Sequence, residues 1–264
     1  MRMYAEIARR GFQRSAAYPS ATLAGLFTNT MFGFMRGYVL LALFEQGNQQ
    51  FGGYDRQAAI TYVWLTQGLI ATVYIWGWHE LSRRIRSGDI ACDLVRPAHP
   101  QDVGLASDLG RAVYHGLFRG VPPVLVGALL FDLIAPGDLL QWAGFAMSVV
   151  LAVVISFYFR FLYNLVAFWL LDYRGVVVMA MIAANLFSGF IIPVHFFPEW
   201  LATIAYATPF PSMVQTPIDI FVGRLQGAEV ATALLHQALW IGVLFTLGRT
   251  TFSRGVRKLV VQGG

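Results

Sequence analysis

The chain has 264 residues, of which 57% are hydrophobic and 12% are charged, and its mean hydropathy is +0.58. Soluble domains carry about twice that share of charged residues, so the composition excludes a soluble globular protein and indicates an integral membrane protein. The net charge of +5 would suit a nucleic-acid partner. However, the basic residues lie at the ends of apolar segments rather than in one patch, so no nucleic-acid partner is expected.

The first 19 residues predict an amphipathic helix that lies at the inner membrane interface. One helical face carries the apolar residues Met3, Tyr4, Ile7, Ala8, Gly11 and Phe12. The other face carries Arg2, Arg9, Arg10 and Arg14, which would meet anionic lipid headgroups. The alternative is a soluble helix that packs on a partner.

Apolar segments divide the rest of a single domain, residues 1–264, into about six crossings of roughly 20 residues each. We expect spans one and two in 20–81, a cytoplasmic coupling loop in 82–112, spans three to five in 113–192, an outer re-entrant segment in 193–228, span six in 229–249 and a cytoplasmic tail in 250–264. Span one contains Arg36, which we expect to reach the outer headgroups rather than to face a polar path. Residues 160–171 either extend span four or lie on the inner surface.

If both termini lie on the same side of the membrane, most of the 19 Lys and Arg residues also lie on that side. The positive-inside rule therefore predicts that both termini are cytoplasmic and that the number of crossings is even.

The longest polar interruption between apolar blocks runs from Arg83 to Pro100. We expect the helix before it to end at Ser87 and Gly88, because glycine accepts the left-handed conformation of a helix C-terminus. Arg96 and Pro97 then force an extended step, after which Gln101 and Asp102 can open a short helix. Either this elbow is read by a soluble partner, or it is a solvated loop whose arginines only fix the topology.

Five prolines interrupt the aromatic stretch from Pro193 to Gly223. Irregular backbone at membrane depth is tolerated only where protein or a water-lined cavity covers it, so the stretch predicts a re-entrant hairpin at the outer rim. An aromatic belt formed by Phe196, Phe197, Trp200 and Tyr206 is the alternative, and the two are compatible.

The sequence contains no G-x-x-x-x-G-K-[ST], no H-E-x-x-H and no cysteine pair, so we expect no ATP site, metal site or catalytic site in this chain. We interpret Gln67 as a helix-packing residue. Glu80 is expected to pair with Arg83 or Arg84 one turn later. His195 and His236 have no partner at useful spacing and are interpreted as structural.

Two motifs carry a resemblance to a known family. Residues Ile85 to Pro97 read IRSGDIACDLVRP and fit the pattern I-R-x-G-D-[IV]-A-x-D-L-x-R-P. A second pattern belongs to the outer rim and is found as Ser188-Gly189, Ile192-Pro193, Phe197-Pro198-Glu199-Trp200-Leu201 and Pro209-Phe210. With both motifs in register, the chain resembles the permease subunits of bacterial ABC transporters in the type-2 exporter class.

The resemblance implies an all-α permease with six transmembrane helices in the bacterial inner membrane, and not an enzyme. ATP and Mg would bind to a separate cytoplasmic ABC ATPase, and a second permease, identical or different, would complete the path among membrane lipids. Transmission from the ATPase would involve Arg86, Gly88, Asp89, Asp93, Arg96 and Pro97. The outer segment would act as a gate through Pro193, Phe197, Pro198, Trp200, Pro209 and Phe210. An ATP-independent channel or secondary transporter, and a membrane-embedded enzyme, are the other classes weighed.

Overall fold

The computed structural model describes residues 2–45, 52–75, 77–170 and 172–258. Twelve α-helices form in this part of the chain: α1 (Arg2–Ala16), α2 (Pro19–Glu45), α3 (Arg56–Leu69), α4 (Glu80–Ser87), α5 (Ala91–Leu94), α6 (Pro100–His115), α7 (Val121–Leu130), α8 (Leu139–Asn164), α9 (Arg174–Phe187), α10 (Glu199–Tyr206), α11 (Gln215–Phe221) and α12 (Ala228–Val256). The all-α expectation is therefore confirmed for these residues.

Four helical runs among the described residues are long and apolar enough to cross a membrane. They are Pro19–Glu45, Pro100–Leu130, Leu139–Phe168 and Ala228–Val256. The run Pro100–Leu130 joins α6 and α7 through a π-helical turn at Gly116–Gly120. The last part of the loop expected at 82–112 and the first part of the third span therefore belong to one helix. The last helix continues past the expected end of span six, into the predicted tail.

The second expected span, residues 58–81, is not one continuous helix. After α3 and a π-helical turn at Ile70–Tyr74, Tyr74 adopts a φ of 56°, and α4 begins only at Glu80. The carbonyl groups freed by this break are satisfied, since Arg111 donates to Ala71 O (2.7 Å) and Thr72 O (3.0 Å). Every residue from 58 to 69 is buried, which explains why this helix tolerates Thr and Gln: its surroundings are protein.

The ends of helices α8 and α9 bear on two of the remaining expectations. The helix α8 runs to Asn164 and continues as a 3₁₀ turn at Leu165–Phe168, so residues 160–168 extend span four. The helix α9 has 14 residues, shorter than the expected fifth span at 176–192, because the chain leaves the helix after Phe187.

The amphipathic helix α1 forms as expected and packs along α6 of the same chain. Gly11 lies against the backbone of Ser107, and Gly110 lies against the backbone of Ala8. A Cβ atom at either glycine would overlap those backbone atoms, so these two glycines permit the close approach of the helices. The arginines of α1 remain exposed.

Arg36 has hydrogen-bond partners within the protein, which the expected extension to the outer headgroups did not include. Its guanidinium donates to the carbonyl oxygens of Phe190 and Ile191, both at 2.8 Å. Nearby, Asn29 donates to the Gln67 carbonyl (3.3 Å), which places Gln67 at a helix contact as interpreted. Arg36 therefore connects α2 to the backbone that follows α9.

Candidate coupling site at the arginine-rich elbow

The elbow turns where the sequence predicts. The helix α4 ends at Ser87, and Gly88 has a φ of 82°. The Gly88 N–H donates to Ile85 O (3.3 Å), and the Ile90 N–H donates to Arg84 O (3.1 Å). These bonds satisfy carbonyl groups at the end of α4 and direct the chain into the one-turn helix α5.

Asp93 holds the elbow together from inside. It lies on α5 and is buried. Its carboxylate forms ion pairs with Arg84 Nη2 at 2.6 Å and with Arg96 Nη1 at 3.4 Å. The carboxylate thus bridges α4 and the segment after α5. Because Arg84 is used here, Glu80 pairs instead with Arg14 of α1 (3.3 Å), and the expected pairing with Arg83 or Arg84 is wrong.

The six residues predicted for coupling divide into two groups. Asp93 is buried, whereas the other five are exposed: Arg86, Gly88, Asp89, Arg96 and Pro97. Between them, the Val95 side chain is 86% exposed. The elbow therefore presents a mixed charged and apolar surface on a frame that Asp93 and the fully buried Ile90 support.

The helix before the elbow is attached to the end of α8. Asn164 Oδ1 accepts from the Ser82 N–H (3.0 Å) and from Ser82 Oγ (2.6 Å), and Asn164 Nδ2 donates to Trp78 O (2.9 Å). All of these contacts stabilise the start of α4 against α8. A displacement of the elbow would therefore be transmitted to α8.

The helix after the elbow is attached to α8 by a buried ion pair. Asp108 of α6 receives Arg160 Nη2 at 2.6 Å and Arg111 Nε at 2.7 Å. The Arg160 side chain is only 1% exposed and lies over the Tyr74 ring, 5.1 Å from its centroid. Both flanks of the elbow thus meet α8 within one helical turn, at Arg160 and Asn164.

The beginning of α6 is also tied to α12. Arg249 Nη2 contacts both Asp102 oxygens, at 2.5 and 2.6 Å. His99 caps α6, because its Nδ1 accepts from the Gln101 N–H at 3.1 Å. Partial burial, and next the charge of Arg249, lower the pKa of His99, which favours the neutral ring that this cap requires.

The sequence interpretation missed the residues that connect the elbow to the bundle. Asn164 and Arg160 are spaced four apart in an otherwise apolar run, which is the one local signal that they share a face. Their partners Ser82 and Asp108 lie 82 and 52 residues away, so no local pattern could identify the pairs.

The residues predicted for an outer gate differ in burial. Pro193 and Pro209 are buried, Phe197 and Phe210 are partly buried, and Pro198 is exposed at the start of α10. Phe210 packs edge-on against Phe159 of α8, with ring centroids 5.0 Å apart. Trp200, by contrast, is 65% exposed, so the segment has both an anchored part and a free part.

A buried polar cluster holds this segment, and sequence reasoning did not find it. Asp219 of α11 accepts from Tyr54 (2.6 Å) and Gln215 (2.9 Å) and lies 2.9 Å from Nε2 of His195. Burial, and next the Asp219 carboxylate, raise the pKa of Tyr54, so its hydroxyl keeps the proton that it donates. His195 is structural, as interpreted, but it has a partner 24 residues away.

No group of three or more His, Cys, Asp or Glu side chains is arranged to hold a metal ion among the residues that the structure describes. The ion pairs of the elbow and its flanks instead connect separate helices. Long apolar helices, an inner core of polar contacts and an exposed charged elbow are the features of a multi-pass membrane transport protein.

Comparison with known families agrees with this class. Residues 31–263 match the ABC-2 family transporter proteins, and the chain belongs to that family. The family supplies the membrane component of transporters and is generally associated with ABC ATPase subunits. No curated protein and no solved structure has significant similarity to the chain.

Proposed function

We propose that the chain is the permease subunit of an ATP-driven exporter. It would form the transport path together with a second permease, and separate cytoplasmic ABC ATPase subunits would supply the energy. Membership of the ABC-2 family supports the class of transporter. Both the direction of transport and the permease pairing belong to the proposal.

The observation that carries the proposal is the construction of the elbow. Five of the six residues predicted for coupling are exposed, while Asp93 crosslinks the frame beneath them. The two flanking helices are fixed to α8 through Ser82 and Asp108. A force applied to the exposed surface would therefore reach the membrane helices rather than deform a mobile loop.

In this mechanism the ATPase subunits close on ATP and carry the elbow with them. Because α4 and α6 are both anchored to α8, the inner ends of these helices move as one unit. That movement opens the path between the two permeases on the opposite side of the membrane.

We further propose six crossings, with both termini in the cytoplasm. The four long helices would be joined by α3 with its π-helical turn as the second crossing and by α9 as the fifth. The burial of α3 supports a central position in the bundle. The bias of basic residues supports the orientation.

The coupling role is tested by replacing Arg86 and Asp89 together with alanine. Both side chains are exposed, so the variant should insert and fold normally. In vesicles that contain the permease and its ATPase, we expect substrate-stimulated ATP hydrolysis and transport to fall about tenfold or more, because charged contacts at such an interface are lost.

The matched control is Arg254→Ala, which removes an exposed arginine from the end of α12. This control should hydrolyse ATP at the normal rate. Normal turnover in the Arg86/Asp89 variant would instead assign the elbow to topology alone. Transport by the permease without any ATPase would favour the channel or secondary transporter.

The segment at 193–228 is proposed as the outer gate. Its support is the contrast between Phe210, which packs on α8, and the exposed pair Pro198 and Trp200. Replacing Pro198 and Trp200 with alanine should change the transport rate without changing ATPase binding. Equal transport in the variant and the parent would refute the gate.

A further inference from the structure

A cavity of about 440 Å³ lies beside the elbow, between α1, α4, α6 and α8. Tyr18, the residue before the apolar helix α2 begins, is part of its lining. Because Pro19–Glu45 is long and apolar enough to cross a membrane, this part of the cavity lies where that helix would enter the lipid. Phosphate groups of membrane lipids occupy this interfacial depth.

The charged part of the cavity lining carries more guanidinium groups than carboxylates can saturate. Arg14, Arg84, Arg96 and Arg111 line it together with three acids, Glu80, Asp93 and Asp108. Arg14 has one contact, at 3.3 Å to Glu80, and Arg96 has one, at 3.4 Å to Asp93. Each guanidinium offers five N–H donors, so several remain for an oxyanion.

Arg14 and Arg96 are also accessible to solvent. The side chains of Arg14 and Arg96 are 74% and 64% exposed, and their long stems allow them to turn toward a ligand. Asp108 is already neutralised by Arg111 and Arg160, so it does not offset the positive charge of Arg14 and Arg96.

The rest of the lining is apolar and aromatic. Leu81, Phe157 and Phe161 are buried there, and Trp78 is partly buried. A free inorganic anion would use only the arginines, whereas an amphiphile would also cover these side chains. The two kinds of surface therefore match a headgroup that has an attached glycerol and acyl chain.

We propose that this cavity binds the phosphate headgroup of an anionic membrane lipid, with Arg14, Arg84 and Arg96 as donors and Trp78 against its apolar part. The lipid would bridge α1 and the elbow, which otherwise meet through the pair Arg14–Glu80. The site does not depend on the proposed function, because binding is a property of the isolated chain.

The test measures lipid retained by the full-length chain. Protein is reconstituted with phosphatidylglycerol and phosphatidylcholine in equal amounts and released into detergent, and the retained lipid is counted by native mass spectrometry. We expect phosphatidylglycerol to be retained in preference. The variant Arg14→Gln/Arg96→Gln should retain it at least about tenfold less, because charge-assisted hydrogen bonds are lost.

The control variant is Arg9→Gln/Arg10→Gln, which removes the same number of positive charges, both from α1. Those arginines pair with Glu6 and do not line the cavity. An equal loss in the control would show general attraction to anionic lipid and overturn the site. Competition by inorganic phosphate at a similar concentration to the lipid would identify a soluble-anion site and overturn it as well.

Folding is monitored by gel filtration of each variant. If the glutamine variant is not monodisperse, Arg14→Lys/Arg96→Lys carries the test, because lysine keeps the charge and loses the planar fork. We expect several-fold weaker retention in that variant. Unchanged retention would overturn the proposal. A variant that loses ATPase coupling but retains the lipid, or one that loses the lipid but keeps ATPase coupling, distinguishes this site from the ATPase interface.

Discussion

At the scale of single residues, two aspartates form ion pairs in different surroundings. Asp93 braces the elbow through Arg84 and Arg96, both partly or largely in contact with solvent. Asp108 instead pairs with Arg160 where almost no solvent reaches. Exposed ion pairs contribute little to stability, whereas breaking a buried pair leaves an uncompensated charge. Asp93 is therefore expected to affect coupling, and Asp108 to affect folding.

Asp108→Asn should destabilise the protein by about 3–5 kcal/mol, because Arg160 would remain buried without a counter-charge. Thermal unfolding in detergent, followed by near-UV circular dichroism, measures the change. Asp93→Asn is the comparison, and its loss should be clearly smaller. Equal losses in the two variants would contradict the argument from the different burial of their arginine partners.

His99 should make the stability of the coupling region depend on pH. Its pKa is lowered in the folded chain, by burial and then by Arg249, from the ordinary value near 6.5. The unfolded chain therefore binds the proton more readily, so the free energy of unfolding should fall as the pH drops through about 6.5. Loss of the cap that His99 forms should lower the free energy of unfolding by about 1 kcal/mol.

The pH effect is measured as the difference in melting temperature between pH 7.5 and pH 5.5 for the parent and for His99→Asn. Asparagine caps helices and carries no proton to gain. The variant should show the weaker pH dependence. The same dependence in both proteins would assign the titration to another group.

At the scale of elements, the sequence predicts turns and interfaces better than it predicts long-range pairs. The end of α4 at Gly88 follows from a local rule about glycine, and the structure confirms it. The break in the second span at Tyr74 is not predictable locally, since it is stabilised by Arg111 of a different helix. Likewise, the contact of His195 with Asp219 depends on how the segment after α9 folds back.

The burial of α3 shows why apolar pattern alone failed to define the second span. Apolar periodicity indicates which residues avoid water, but it does not separate a lipid-facing surface from a protein-facing one. Trp64 and Gln67 are both buried in this helix. The protein packed around α3, rather than α3 itself, explains why a polar side chain such as Gln67 is tolerated there.

Gly88→Ala should weaken the elbow by about 1 kcal/mol, because an alanine is strained at a φ of 82°. No heavy atom lies within 4 Å of the added Cβ, so the cost is conformational rather than steric. Protease sensitivity of the elbow in membranes should increase. Gly175→Ala is the matched control: its surroundings are equally open, but it lies at the start of α9 without a positive φ, and it should leave sensitivity unchanged.

At the scale of the whole molecule, the described contacts converge on α8. This helix meets both flanks of the elbow at its C-terminal end, and Phe159 contacts the segment after α9. It also packs along α12. A permease built in this way would couple an inner partner to an outer segment through one long helix, without an energy source of its own.

The chain provides a direct probe of that arrangement. Its one cysteine, Cys92, is exposed on the elbow. A photo-crosslinker attached to Cys92 in native membranes should capture a protein that contains a P-loop, identified by mass spectrometry of the adduct. Moving the cysteine to exposed Gln226, in a Cys92→Ser background, should abolish this adduct. Labelling of Cys92 from outside intact cells, or adducts without any P-loop protein, would contradict an ATPase-driven permease coupled through the elbow.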